Sequence, residues 1–128
     1  MPFDPRTMGK SVYEALRSLR ASGGDRERLK QQKNQAVELY TYLATWGLLR
    51  LKAEETALSE QEGKKQVVIA FFQCLEEISG TRNLNQPTGL QTLIDLGADE
   101  YLGLTGLGLV LSQEFSFWAT AVYPDIKG

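Results

Sequence analysis

The stretch DRERLKQQKNQAVELYTYLATWGLLRL, residues 25–51, is spaced as one long helix. Leu29, Ala36, Leu39, Tyr40, Leu43 and Trp46 recur at three- and four-residue intervals towards Leu51, which places them on one side of a 3.6-residue repeat. Asp25 stands where a short side-chain acceptor caps the first free N–H groups. On the N-terminal side, Ser22-Gly23-Gly24 separates this helix from an earlier one. That first helix begins near Pro5, a good first-turn residue, and runs to about Ala21 with Val12, Leu16 and Leu19 on one face.

On the C-terminal side, Lys52 to Lys65 turns polar, as an exposed helix end followed by a loop at Gly63 or as a mobile connection. A third helix is expected over Gln66 to Ser79, burying Val67, Val68, Phe71, Cys74, Leu75 and Ile78, with Gly80 stopping it in a left-handed conformation. Thr81 to Pro87 reads as a loop. Thr88 is placed to cap a short helix through Leu90, Leu93 and Ile94, closed by Gly97, and Asp99 to open a last helix that Tyr123-Pro124 breaks after about Val122. The expectation is an all-α chain, a compact bundle of about five helices in one domain spanning residues 1–128.

The charges divide along the chain. Residues 1–52 carry ten Lys/Arg against five Asp/Glu, about +5, and residues 53–128 carry four against eleven, about −7. This asymmetry points to nucleic acid, to head-to-tail assembly, or to both. No histidine is present and Cys74 is the single cysteine, so the commonest general base, the commonest metal ligand and every thiolate zinc site are missing. Neither a catalytic residue nor a metal or other cofactor is expected. One cysteine forms no internal disulfide and the first residues show no signal pattern, so a cytoplasmic protein is the expectation. The apolar run Tyr101 to Pro124 includes Glu114 and three glycines and reads as a core helix, with no membrane partner.

Lys10, Arg17 and Arg20 are seven and three residues apart, and Arg26, Lys30 and Lys33 four and three, so each set forms a stripe on its helix. A phosphate backbone rewards such a row without demanding base contacts. A solvated surface is the competing reading. Gln31, Gln32, Asn34 and Gln35 add neutral hydrogen-bonding groups suited to sugar and phosphate, and Tyr13, Tyr40, Tyr42 and Trp46 offer stacking surfaces or core contacts. Gly103, Gly106 and Gly108 follow no strand and precede no Lys-Ser/Thr pair, which excludes a phosphate loop. Three helical glycines imply instead that a backbone packs close, from a neighbouring helix or from a partner chain. Glu54, Glu55, Glu60, Glu62, Glu76 and Glu77 read as a solvated acidic face, and Cys74 as a small core residue.

Two stretches resemble a known family. Leu39-Tyr40-Thr41-Tyr42-Leu43-Ala44-Thr45-Trp46-Gly47-Leu48-Leu49 is similar to a helix with a Gly-Leu step in the small subunit of type III-B CRISPR effector complexes. Glu100 to Thr105 and then Phe117-Trp118-Ala119-Thr120-Ala121 resemble that family's last helix. The chain departs from the pattern at Gly106 and Gly108, where the family has alanine and charged residues, and at Leu49-Arg50. The resemblance implies a non-catalytic helical bundle that stacks in copies beside the duplex of guide RNA and target RNA, among other subunits, one of which cleaves the target.

Charge supports the same picture on its own terms. A basic end and an acidic end favour an open, head-to-tail stack, and a repeated basic stripe would follow an RNA backbone. The expected contacting set is Lys10, Arg17, Arg20, Arg26, Lys30, Lys33 and Arg50. The alternative from another class is a helical adaptor or regulatory subunit that binds protein through the glycine-rich last helix and does not bind nucleic acid.

Overall fold

The computed structural model describes residues 5–57, 60–86 and 88–127. Among them are five helices and no strand: α1 (Pro5–Ala21), α2 (Arg26–Ala57), α3 (Glu62–Ser79), α4 (Gly89–Asp95) and α5 (Ala98–Val122). The expected all-α bundle is therefore present. Residues 1–4, where the absence of a signal pattern was read, lie outside the described residues, as do residues 58, 59 and Pro87.

Local sequence accounts for most helix ends. The Asp25 carboxylate accepts the Arg28 N–H at 2.9 Å, an N-cap on α2. Gly80 takes φ 76° at the end of α3 and donates its N–H to the Glu76 carbonyl at 3.0 Å. Two expected caps differ. The Thr88 side chain makes no capping bond to α4. The last helix opens one residue before Asp99, and the N–H of Gly97 donates to Glu100 Oε1 at 3.2 Å.

α2 is a helix with a corner. At Gly47 the backbone takes φ 86° and ψ 171°, a region that side chains exclude. Tyr42 donates its hydroxyl to Glu54 at 3.1 Å. On a straight helix those residues would be about 18 Å apart along the axis, so α2 bends sharply at Gly47 towards the side that carries Tyr42. Helix persists to Ala57, in line with the helix end read from Lys52, and resumes at Glu62, so Gly63 belongs to α3 and not to a loop. Lys52 is buried there, its ammonium 2.6 Å from Glu55 and 4.9 Å from the Phe72 ring centroid. Gly63 is also buried, because a Cβ at this position would collide with the Arg28 carbonyl of α2.

α2, α3 and α5 meet around Phe71, whose ring lies edge-on to Phe72 at 5.2 Å and Phe115 at 5.7 Å. Gly108 lets α5 approach Leu43, Leu48 and Phe71. α1 closes one side with Met8, Val12 and Leu16, packed on α5 and α3. The first limb of α2 and α5 run antiparallel, since Ser116 bonds the Val37 carbonyl and Gly108 lies against Leu43.

Candidate nucleic-acid interface

The end of the bundle where α1 finishes and α2 begins gathers Arg17, Arg20, Arg26, Lys30 and Lys33. It also receives the residues after α5. Tyr123 and Ile126 are buried there, and this short tail folds back over α2. The Tyr123 hydroxyl donates to Gln32 Oε1 at 2.6 Å, and Gln32 Nε2 donates to Gln66 Oε1 at 2.9 Å, a buried polar chain linking the tail, α2 and α3. Burial pushes the Tyr123 phenol upward, so it stays a neutral donor.

Three of the seven expected contacts hold this tail. Arg20 donates through both terminal nitrogens to the Asp125 carboxylate, each at 2.7 Å, and to the Val122 carbonyl at 2.6 Å. The bidentate pair and a cation at a helix C-terminus reinforce one another. Beside Arg20, the Asp125 carboxyl falls to about 2. Arg26 donates to the Asp125 carbonyl at 3.2 Å, and Lys33 to the Ile126 carbonyl. These groups therefore already bind an anion and backbone oxygens of their own chain.

Lys10, Arg17 and Lys30 are exposed. They join the others in a band of three shallow hollows. Arg6, Lys10, Tyr13 and Trp118 line the first; Tyr13, Arg17, Arg20 and Pro124 the second; Arg26, Lys30, Asp125 and Lys127 the third. Tyr13 is shared by the first two, and Asp125 bridges the last two through Arg20 and Arg26. Seven cations, Arg6, Lys10, Arg17, Arg20, Arg26, Lys30 and Lys127, stand along the band against Glu27, Glu114 and Asp125. The two stripes read from the sequence therefore face the same way.

Arg50 does not join them. Its guanidinium lies 4.2 Å from the Trp46 ring centroid, in a hollow with Leu90, Ile94 and Tyr101 near the start of α5. That is about 32 Å from Val122 at 1.5 Å per residue. Asp95, Asp99 and Glu100 are exposed at this opposite end, so the molecule has a basic pole and an acidic pole.

Two of the four amides among the cations are turned inward. Gln32 is fully buried, and Gln31 accepts the Gly63 N–H at 3.0 Å, so neither is offered to sugar or phosphate. Tyr42 is tied to Glu54, while Tyr13 remains 37% exposed, with its ring 5.4 Å from Trp118. The acidic residues are less uniformly solvated than expected, because Glu76 accepts the N–H groups of Leu84 and Asn85 at 2.8 and 3.3 Å.

Chemistry elsewhere is sparse. Cys74 is buried beside the hollow between α1 and α3, and burial together with Glu77 pushes its thiol up to about 12, so it holds its proton. Among the described residues, no group of three or more His, Cys, Asp or Glu is placed to hold a metal ion. No described helix is long and apolar enough to cross a membrane.

The tail was the feature that sequence reading missed. Its signal was faint: Asp125 and Ile126, an acid and an apolar residue after the helix-breaking Pro124. No family model matches the chain, and neither a curated protein nor a solved structure matches it.

Proposed function

We propose that this chain is a non-catalytic small subunit of a type III CRISPR RNA-guided effector, a cytoplasmic ribonucleoprotein, and that it touches the RNA backbone with its basic pole. The observation that carries the reading is the continuous band from Lys10 through Arg17 to Lys30, where the cations of two helices share one side. The motifs around Gly47 and in α5 that resemble the small subunit add to it. A phosphate backbone needs a row of cations of this kind and little else. Single copies bind weakly, since few phosphates meet each one, and copies stacked head to tail, acidic pole on basic pole, gain avidity.

The contacting set is Lys10, Arg17 and Lys30. Arg20, Arg26 and Lys33 support it by holding the tail, and a charge reversal at Arg20 would disturb the fold as well as any RNA contact. The test is binding of labelled single-stranded RNA and of a guide–target duplex across a salt series, with light scattering on the same samples. Reversal of Lys10, Arg17 or Lys30 to Glu should each lower the salt slope by about one and weaken binding to all sequences alike. Arg50→Glu, at the other pole, should change nothing. Unchanged binding in the three reversal variants sinks the assignment. Salt-independent behaviour or no binding favours a protein-binding adaptor, the reading that the open flank of α5 supports.

A further inference from the structure

None of the described residues covers one flank of α5. Leu102 is 71% exposed, Phe117 61% and Val110 47%. Between them, a Cβ added at Gly103 or Gly106 would meet nothing within 4 Å, so intrachain packing explains neither glycine. Gly103, Val110 and Phe117 follow one another at sevens, a spacing that drifts only about 20° per step around a helix. From Tyr101 to Val122 the one charged residue is Glu114, which turns towards Gly9 of α1. The open flank is therefore uncharged.

We infer that a second copy of this chain packs antiparallel on this flank, about a two-fold axis at Val110. Gly103 and Phe117 are equidistant from Val110. In such a pair the exposed Phe117 ring of each copy falls over the gap at Gly103 of the other, and the same fit is made twice. Charge selects the same orientation. α5 begins beside Asp95, Asp99 and Glu100 and ends beside Arg17 and Arg20, so antiparallel copies set acid against base at both rims and oppose their helix dipoles. A parallel pair would match like with like. Val37 and Tyr40 of α2 are exposed alongside and widen the surface. α5 is about 37 Å long and roughly 10 Å wide, so it offers on the order of 370 Å² per copy, and the exposed α2 residues alongside extend the face towards the ~800 Å² per partner of a stable interface.

The flank lies between the poles, so substitutions within this pairing leave the RNA-contacting cations Lys10, Arg17 and Lys30 in place. Its test is light scattering of the RNA-free protein over a concentration series, with three variants. Gly103→Leu fills open space and should keep the helical circular dichroism of the parent while weakening the dimer about tenfold or more; Phe117→Ala should weaken it similarly. A short bifunctional thiol reagent should join Val110→Cys into covalent dimers and leave the parent, whose single thiol is buried, unjoined. A monomer at every concentration overturns the pairing and assigns the flank to a different protein. A dimer indifferent to Gly103→Leu, or one in which Val110→Cys does not crosslink, overturns the geometry. Retained salt-dependent RNA binding by Gly103→Leu separates this result from the fate of the basic band.

Discussion

Asp125 follows a proline in a tail of a few residues, yet its carboxylate and carbonyl engage Arg20 and Arg26 from two helices. Hydrogen bonding from Arg20 holds the carboxyl at about 2, below its ordinary 3.8. A carboxyl with a depressed folded-state pKa stabilises the clasp above its ordinary value, and that contribution is lost as pH falls from about 4 through about 2. The tail amide of Ile126, followed by NMR, should therefore lose its folded chemical shift across that window. Asp125→Asn should remove this acid transition. The pair is exposed, so salt weakens it and global stability changes little. At this scale the candidate site was half legible: the cations are visible in the sequence as stripes, but their employment is not. Arg20 and Lys10 look alike on paper, and only a carboxylate 105 residues away separates their roles.

Helices are the part that local physics specifies best. α1 begins at Pro5 and ends at Ala21 as its breakers dictate, Asp25 caps α2, and Gly80 closes α3. The corner at Gly47 was not legible, because Trp46-Gly47-Leu48 continues the helical spacing on both sides. Its conformation, φ 86° and ψ 171°, belongs to glycine almost alone. Gly47→Ala should destabilise the fold by about 1–3 kcal/mol through backbone strain, measured as a lowered urea midpoint with an unchanged slope. A straightened α2 would instead show as lost near-ultraviolet signal from Tyr42 and Trp46. The burial of Lys52 at the start of the polar run was not legible for a related reason. Lys52 is buried because Glu55 and the Phe72 ring receive its ammonium, and Phe72 belongs to another helix.

Across the whole molecule, Phe71 is the point where α2, α3 and α5 converge. Phe71→Ala should cost about 3–5 kcal/mol, a large share of the ~5–15 kcal/mol that holds a domain together. The loss should appear in one cooperative transition by calorimetry, and separate transitions for α1 and the rest would contradict a shared core. The two poles are also a property of this scale. Their charges are already unequal in the two halves of the chain, but α2 turns at Gly47 and α3 starts beside Arg28, so chain halves and molecular ends are not the same thing. Arg50 lies at the acidic pole because the first limb of α2 carries the chain about 30 Å away from Arg26. Helix identity, core faces and most caps follow from the sequence alone, since they depend on residues within a turn or two of one another. The tail clasp, the Gly47 corner, the shared side of the two basic stripes and the open flank of α5 depend on groups brought together from distant positions, and only the packed bundle decides them.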